Sequence, residues 1–202
     1  MAYRSEQATP VRISYRELDR RAELIARGLY KLGVGSGDVV SWQLPNWWEF
    51  IALALACARI GAVANPIMPI FRQRELKFML DFGESKVLIV PKSYKGFDYE
   101  AIANGMRSDL PFLQHLVVVD GDADNSFQAL LQREDLPPAA SKPLGPDDVM
   151  LLMYTSGTTG EPKGVMHTSN TLFANLHGFI EAYGLTSKDV ILGASPMAHL
   201  TG

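Results

Sequence analysis

The chain of 202 residues is 47% hydrophobic and 20% charged with a formal net charge of −3, as expected of a soluble globular protein with one large domain or two small ones. No run of Lys or Arg appears, so nothing in the charge pattern proposes nucleic acid or an anionic membrane as a partner. Cys57 is the single cysteine, which rules out an intrachain disulfide, and its apolar helical surroundings make it a core residue rather than a nucleophile.

The first residues lack the apolar core of a signal peptide. The most hydrophobic stretch, 50–58, is nine residues long and stops at Arg59, against about twenty for a membrane span. A cytoplasmic protein without a transmembrane segment is the default expectation.

Ser14-x-x-Glu17 is a capping box, and Leu18, Ala22, Ile25, Leu29 and Leu32 follow at helical spacing until Gly33 closes the helix. Residues 39–44 read as a strand. Pro45-Asn46 punctuates it, with Asn46 as a second N-cap three residues before Glu49. The helix over 47–60 is apolar nearly all round and is expected to be buried on several sides. Trp47 and Trp48 point about 100° apart on a helix, so packing rather than a shared ligand platform accounts for them. Gly61, Pro66 and Pro69 close this unit.

A third helix is expected over 72–82, a strand over 87–90, a weaker helix over 99–107 interrupted by Gly105, and a strand over 116–119. The aspartates of 120–125 lack the glycine and distant glutamate of a calcium loop and read as a solvated turn. Residues 134–148 hold Pro137, Pro138, Pro143 and Pro146 without periodicity, a linker leading into 149–202. Short β-rich runs alternating with helices predict an α/β fold with a largely parallel sheet.

The apolar run 149–154 reads as a buried strand. It leads into Thr155-Ser156-Gly157-Thr158-Thr159-Gly160-Glu161-Pro162-Lys163-Gly164. Gly157, Gly160 and Gly164 let the backbone curl with positive φ and approach a ligand closely. The hydroxyls of Thr155, Ser156, Thr158 and Thr159 and the loop N–H groups form an anion-binding nest, and Lys163 adds a point charge suited to phosphate. A flexible linker would not abut a buried strand in this way. A Walker loop is ruled out because Gly164 follows Lys163 where a hydroxyl residue belongs, and the chain continues extended rather than as a helix.

Beyond the loop, Leu172, Leu176, Phe179, Ile180 and Tyr183 line one helical face that Gly184 terminates, with His167 and Ser169 in the capping region. His177 is expected to be exposed. Residues 190–193 read as a last strand, leading to Ser195-Pro196-Met197-Ala198-His199-Leu200-Thr201-Gly202.

The text from Tyr154 through Val165 resembles the signature of the acyl-adenylate-forming superfamily, which contains acyl-CoA synthetases, peptide-synthetase adenylation domains and beetle luciferases. The resemblance runs from about residue 10 to the end. It implies a layered αβα domain, of which this chain is the incomplete N-terminal part. It also implies that Thr155, Ser156, Gly157, Thr158, Thr159, Gly160 and Lys163 hold the β- and γ-phosphates of ATP, that Lys163 serves the reaction, and that Thr155 helps hold Mg2+. Pro196-x-x-His199-x-x-Gly202 resembles the family's next signature, which implies that His199 lies beside the carboxylate of the acid substrate.

Around 42–50 and 65–71 the text is most similar to short- and medium-chain fatty acyl-CoA and cyclohexanecarboxylate-CoA ligases, with aryl-acid ligases a near alternative. The implied reaction is ATP-dependent formation of acyl-AMP and then acyl-CoA. The later family motifs are missing, which points to a piece of a longer enzyme, inactive by itself. A naturally short, non-catalytic nucleotide-binding module is the alternative.

Overall fold

The computed structural model describes residues 11–122, 125–132, 144–155 and 162–199. Ser14 opens the first helix, α1 (Tyr15–Lys31), by accepting a hydrogen bond from the Glu17 N–H at 3.2 Å. Only that half of the expected capping box forms. The Glu17 carboxylate instead accepts from Arg20 Nε at 3.0 Å and Arg21 Nε at 2.7 Å. These guanidiniums, one helical turn on, hold its carboxyl down to about 2, because two charge-assisted bonds outweigh one neutral cap bond.

The strands are β1 (Val39–Trp42), β2 (Val63–Pro66), β3 (Ser85–Pro91), β4 (Ser93–Tyr94), β5 (Phe97–Asp98), β6 (His115–Val119), β7 (Val149–Thr155) and β8 (Lys163–Thr168). Six form one sheet in the order β6-β3-β1-β2-β7-β8, while β4 and β5 make a separate small hairpin. All neighbours in the large sheet are parallel except β7 and β8, which pair antiparallel. The expected strand over 149–154 is present. It is buried only at Leu152 and Met153, the rest being half-buried or, at Thr155, exposed.

The intervening helices are α2 (Trp48–Ile60), α3 (Gln73–Phe82), α4 (Tyr99–Met106), the short α5 (Phe127–Leu131) and α6 (Ser169–Tyr183). From β1 the chain crosses to β2 on one side through α2, then returns through α3 to β3 on the other. Right-handed crossovers in opposite directions place their helices on opposite faces. The two hydrophobic cores follow: α1, α2 and α5 cover one face with Val87, Ile89, Val117 and Val119, and α3 and α4 cover the other with Leu88, Val90, Leu116 and Val118. The split within β3 and β6 is the two-residue alternation of a pleated strand buried on both sides.

The three-layer αβα architecture with a mostly parallel sheet is as expected. Trp47 and Trp48 are both buried, in edge-on contact with Tyr94 and Phe127 respectively. Cys57 is fully buried and its thiol is pushed up to about 12 by desolvation, so it is inert as a nucleophile. In α2 the burial is not complete all round, since Ile51 and Leu55 face outward. The strand β2 was not foreseen because its Val-Ala-Asn-Pro composition is weak in β propensity. Its place between β1 and β7 is set by pairing.

Two expectations fail towards the C-terminus. Residues 190–193 form no strand, and Val190 is 98% exposed. A β-branched run becomes a strand only against a neighbour, and none of the described residues supplies one. The helix α6 ends at Gly184 as expected, in the left-handed conformation. Its apolar residues Phe173, Leu176, Phe179 and Tyr183 are nevertheless exposed.

Gly28 shows how closely α1 and α5 approach. A Cβ there would stand 2.9 Å from Leu130 Cδ2 and 3.0 Å from its Cα. Alanine is worth up to about 1 kcal/mol over glycine in a helix, but overpacking against fixed backbone costs about 1–3 kcal/mol. Gly28→Ala is therefore expected to lower the urea midpoint. A raised midpoint would show that α5 yields freely.

Candidate functional site

The five parallel strands direct their carboxyl ends to one edge. In open α/β sheets ligands bind at this edge where successive crossovers leave in opposite directions, which in this sheet is at β1. Three loops crowd this place. Gln43, just past β1, is buried and donates from Nε2 to the carbonyls of Met68 at 3.0 Å and Phe71 at 2.9 Å. The loop after β2 is held from the other side by the Tyr99 hydroxyl, which donates to Pro69 O at 2.7 Å. Arg72 donates to the same carbonyl at 2.7 Å and lies 3.8 Å over the Phe97 ring.

Within the sheet a polar string crosses three strands. Asn65 Nδ2 donates to Ser41 Oγ at 2.8 Å, and Ser41 and Ser85 share a hydrogen bond of 2.5 Å, all three residues being buried.

The glycine-rich loop joins β7 to β8. Thr155 and Lys163 stand opposite each other in the antiparallel register, followed by Tyr154 opposite Gly164. Both Thr155 and Lys163 are exposed at the lip of this hairpin. Ser156, Gly157, Thr158, Thr159 and Gly160 lie outside the described residues. The hairpin stem is braced by Tyr154, whose hydroxyl donates to the Met79 carbonyl near the end of α3 at 2.7 Å. Burial pushes that phenol up to about 12, opposed by a hydrogen bond with Asn65.

Gly164 is corrected in its role. It is a strand residue without positive φ. A Cβ there would stand 3.0 Å from Phe82 Cε1 and 3.2 Å from Leu152 Cδ1, so its small size admits these neighbours rather than a ligand.

His199 closes a turn through its N–H to Pro196 O at 2.9 Å, with its side chain exposed. Ala198 is buried in the α1–α2 core and Met197 packs against it. The turn is also bound by Asn46. Its Nδ2 donates to Ser195 O at 2.7 Å, and its Oδ1 accepts from the Met197 N–H at 2.9 Å. Asn46 is thus not the cap expected of it: the N-cap of α2 is Trp47, which has no side-chain cap bond. The sequence carried no signal for this contact, because Asn beside a helix start reads as a local cap.

Asn46 follows β1, and Thr155 ends β7, so the turn and the open end of the hairpin stem lie at the same carboxyl edge with β2 between them. His167 is a buried residue of β8 beside Thr171. The cap of α6 is Thr168, and Ser169 is the first helical residue. His177 is exposed and faces Glu181 at 3.2 Å.

Among the described residues no group of three or more His, Cys, Asp or Glu could hold a metal. An open groove of about 550 Å³ lies at the opposite, amino edge, lined by Val39, Val63, Phe82, Leu152 and Met166 among others. Its one charged residue, Asp148, is acidic and accepts from Gly145 N, so it does not suit an anion.

Residues 2–202 match the AMP-binding enzyme family. The chain belongs to that family. It is 34% identical to the medium-chain fatty-acid–CoA ligase of Escherichia coli over 94% of its own length and 34% of that protein's. Against the 2,3-dihydroxybenzoate-AMP ligase of Bacillus subtilis it is 36% identical, covering 92% of this chain and 34% of the relative. The inhibitor-bound N-terminal domain of FACL13 from Mycobacterium tuberculosis superposes with a TM-score of 0.82 at 30% identity, over 95% of this chain and 46% of that one. ATP-bound MatB from Rhodopseudomonas palustris gives 0.78 at 27% identity, over 95% and 37%. The chain spans about a third of the length of these two curated relatives. In this member of the family the described residues present the β7–β8 stem and the His199 turn from one sheet edge.

The Tyr154 phenol gives this edge a pH signature. Its folded value lies above the ordinary tyrosine value of about 10, so it contributes stability that is complete below pH ~10. That contribution disappears as pH rises from about 10 through about 12. Tyr154→Phe is expected to flatten this part of the alkaline limb in urea midpoints, while losing about 0.5–1.5 kcal/mol of hydrogen-bond stability near neutrality. An alkaline limb that superposes on that of the unaltered protein would remove Tyr154 as its source.

Proposed function

We propose that this chain supplies the triphosphate-holding hairpin and one wall of the acid pocket of a ligase that activates a carboxylic acid with ATP and passes the acyl group to CoA. The observation that carries the reading is the antiparallel β7–β8 stem, which registers Thr155 opposite Lys163 at the carboxyl edge of a parallel sheet. Turnover is assigned to a longer polypeptide carrying this chain, not to residues 1–202 alone. Cytoplasmic location belongs to the same reading.

A carboxylate is a poor acyl donor because its carbonyl is deactivated and oxide is a poor leaving group. Attack of the carboxylate oxygen on the α-phosphorus forms the acyl-AMP anhydride and breaks the bond to pyrophosphate, which leaves with the electron pair. A thiol then attacks the acyl carbon and AMP departs. The protein's part in the first step is to hold the triphosphate in line and to stabilise charge developing on pyrophosphate. Lys163 does this as a point charge, and the N–H groups and hydroxyls of 155–160 as a cradle. Thr155 would offer its oxygen to a Mg2+ ion, which when bound would help neutralise charge on the phosphates. His199, in the turn over β1, meets the carboxylate end of the acid.

The acid itself is read as a short- or medium-chain aliphatic one. The aryl-acid alternative has its own support in the 36% identity to the dihydroxybenzoate enzyme.

Acid-dependent ATP–pyrophosphate exchange tests the function. Lys163→Ala is expected to slow exchange by an amount equivalent to about 1.5–3 kcal/mol, the worth of a hydrogen bond to a charged group. Its melting temperature should be nearly unchanged, since Lys163 is exposed. Unchanged exchange would remove Lys163 from the mechanism.

His199→Ala is expected to alter the order of preference among carboxylic acids while leaving the apparent affinity for ATP within about twofold, well under the 1.4 kcal/mol of a tenfold change. Equal effects on acid and ATP would place His199 elsewhere.

A further inference from the structure

The Asn46 side chain spends both halves of its amide on a segment far away in sequence. An Asn at the entry of a helix ordinarily caps it, yet α2 begins on Trp47 without a side-chain cap. Instead Nδ2 donates to Ser195 O at 2.7 Å and Oδ1 accepts from Met197 N at 2.9 Å. These two backbone groups flank Pro196, which has no N–H of its own. A neutral side chain that donates and accepts at once, over a span this short, is an amide's particular capability.

The segment just upstream, Val190 to Leu192, is exposed and irregular among the described residues. Downstream, Ala198 is buried and the His199 N–H closes back on Pro196 O.

We propose that Asn46 is a positioning residue: its clamp across Pro196 sets where His199 stands at the carboxyl edge, and thereby the fit of the acid substrate. The inference rests on the acid-activating reading above. Asn46 touches neither substrate nor reacting atoms in this arrangement. It acts through the backbone of 195–197, and ATP, held two strands away by the β7–β8 loop, is outside its reach.

The test uses Asn46→Ala and Asn46→Asp in the complete polypeptide that carries this chain. In the Ala variant the Met197 amide should exchange its hydrogen about tenfold faster, as loss of one hydrogen bond implies. In acid-dependent pyrophosphate release the KM for the acid should rise about tenfold, with KM for ATP within about twofold.

Asn46→Asp keeps the acceptor for Met197 but turns a carboxylate oxygen towards the Ser195 carbonyl. Its acid-KM defect should shrink as pH is lowered, because the protonated carboxyl regains the donor. The Ala variant, having no proton to gain, should show no such recovery relative to the unaltered protein. A purely structural role would raise both KM values together.

Unchanged exchange at Met197 in the Ala variant overturns the clamp. An equal rise in both KM values overturns the positioning role. If the Ala variant does not fold, the pH dependence of the Asp variant decides the matter, and a flat profile counts against the proposal. Absence of acid-dependent pyrophosphate release from the unaltered protein overturns the function and the acid-positioning role with it, while Met197 exchange still decides the clamp.

Discussion

β1 is hydrogen-bonded in parallel to β2 on one side and β3 on the other, and the chain reaches these two neighbours by crossovers that leave in opposite directions. That reversal splits the helices between two faces and gives the molecule two hydrophobic cores instead of one. It also makes the carboxyl edge beside β1 the topological switch point of the sheet, where ligands of open α/β folds bind. The end of the β7–β8 stem, with Thr155 and Lys163, and the His199 turn are both found at that edge. A register slip of β1 by one residue would exchange its two faces, turning Ser41 out of the polar string and Val40 and Trp42 out of the core they share with α1 and α2.

The polar string shows what the sheet interior tolerates. Ser41, Asn65 and Ser85 are buried in the midst of β-branched and aliphatic neighbours, a placement that costs free energy unless the groups bond one another. They do, across β2, β1 and β3 in turn. A string of this kind forms only in the correct strand order and alignment, so it favours the native register over slipped ones in a way that aliphatic contacts do not.

Much of this was legible in the sequence for a physical reason. Helices α1, α3 and α6 announce themselves by a period near 3.6, and β3 and β6 by β-branched runs, because each pattern is carried by the element's own contiguous residues. The β2 strand was hidden: Val63 to Pro66 owes its conformation to two flanking strands rather than to its own residues. At the other extreme, residues 190–193 carry a strand's composition without a partner, and they form none. In the site, the loop with Lys163 was visible as a motif, since its glycines and hydroxyls are contiguous. Asn46 was misread because the relevant partner lies about 150 residues away, and the local pattern around it satisfied an innocent explanation. Gly164 was misread for a related reason: a glycine's small size serves a close neighbour as readily as a ligand, and only the position of Phe82 tells the two apart.

The two site segments are anchored by different means, and this bears on how each tolerates change. The loop is closed at its base by the backbone ladder of β7 and β8, in which Thr155 meets Lys163 through main-chain register. Side-chain substitution at either position leaves that ladder in place, so the pairing of the stem is decoupled from the chemistry of its two end residues. The His199 turn is held differently: among the described contacts are the Asn46 side-chain amide, the burial of Ala198 and the turn bond to Pro196, so a change at Asn46 bears on geometry even where every residue of the turn is intact. On the proposed reading, a turn held in this manner can be repositioned by few substitutions while the hairpin stem stays fixed. That division suits a family in which the relatives compared are named for acids as different as medium-chain fatty acids and dihydroxybenzoate.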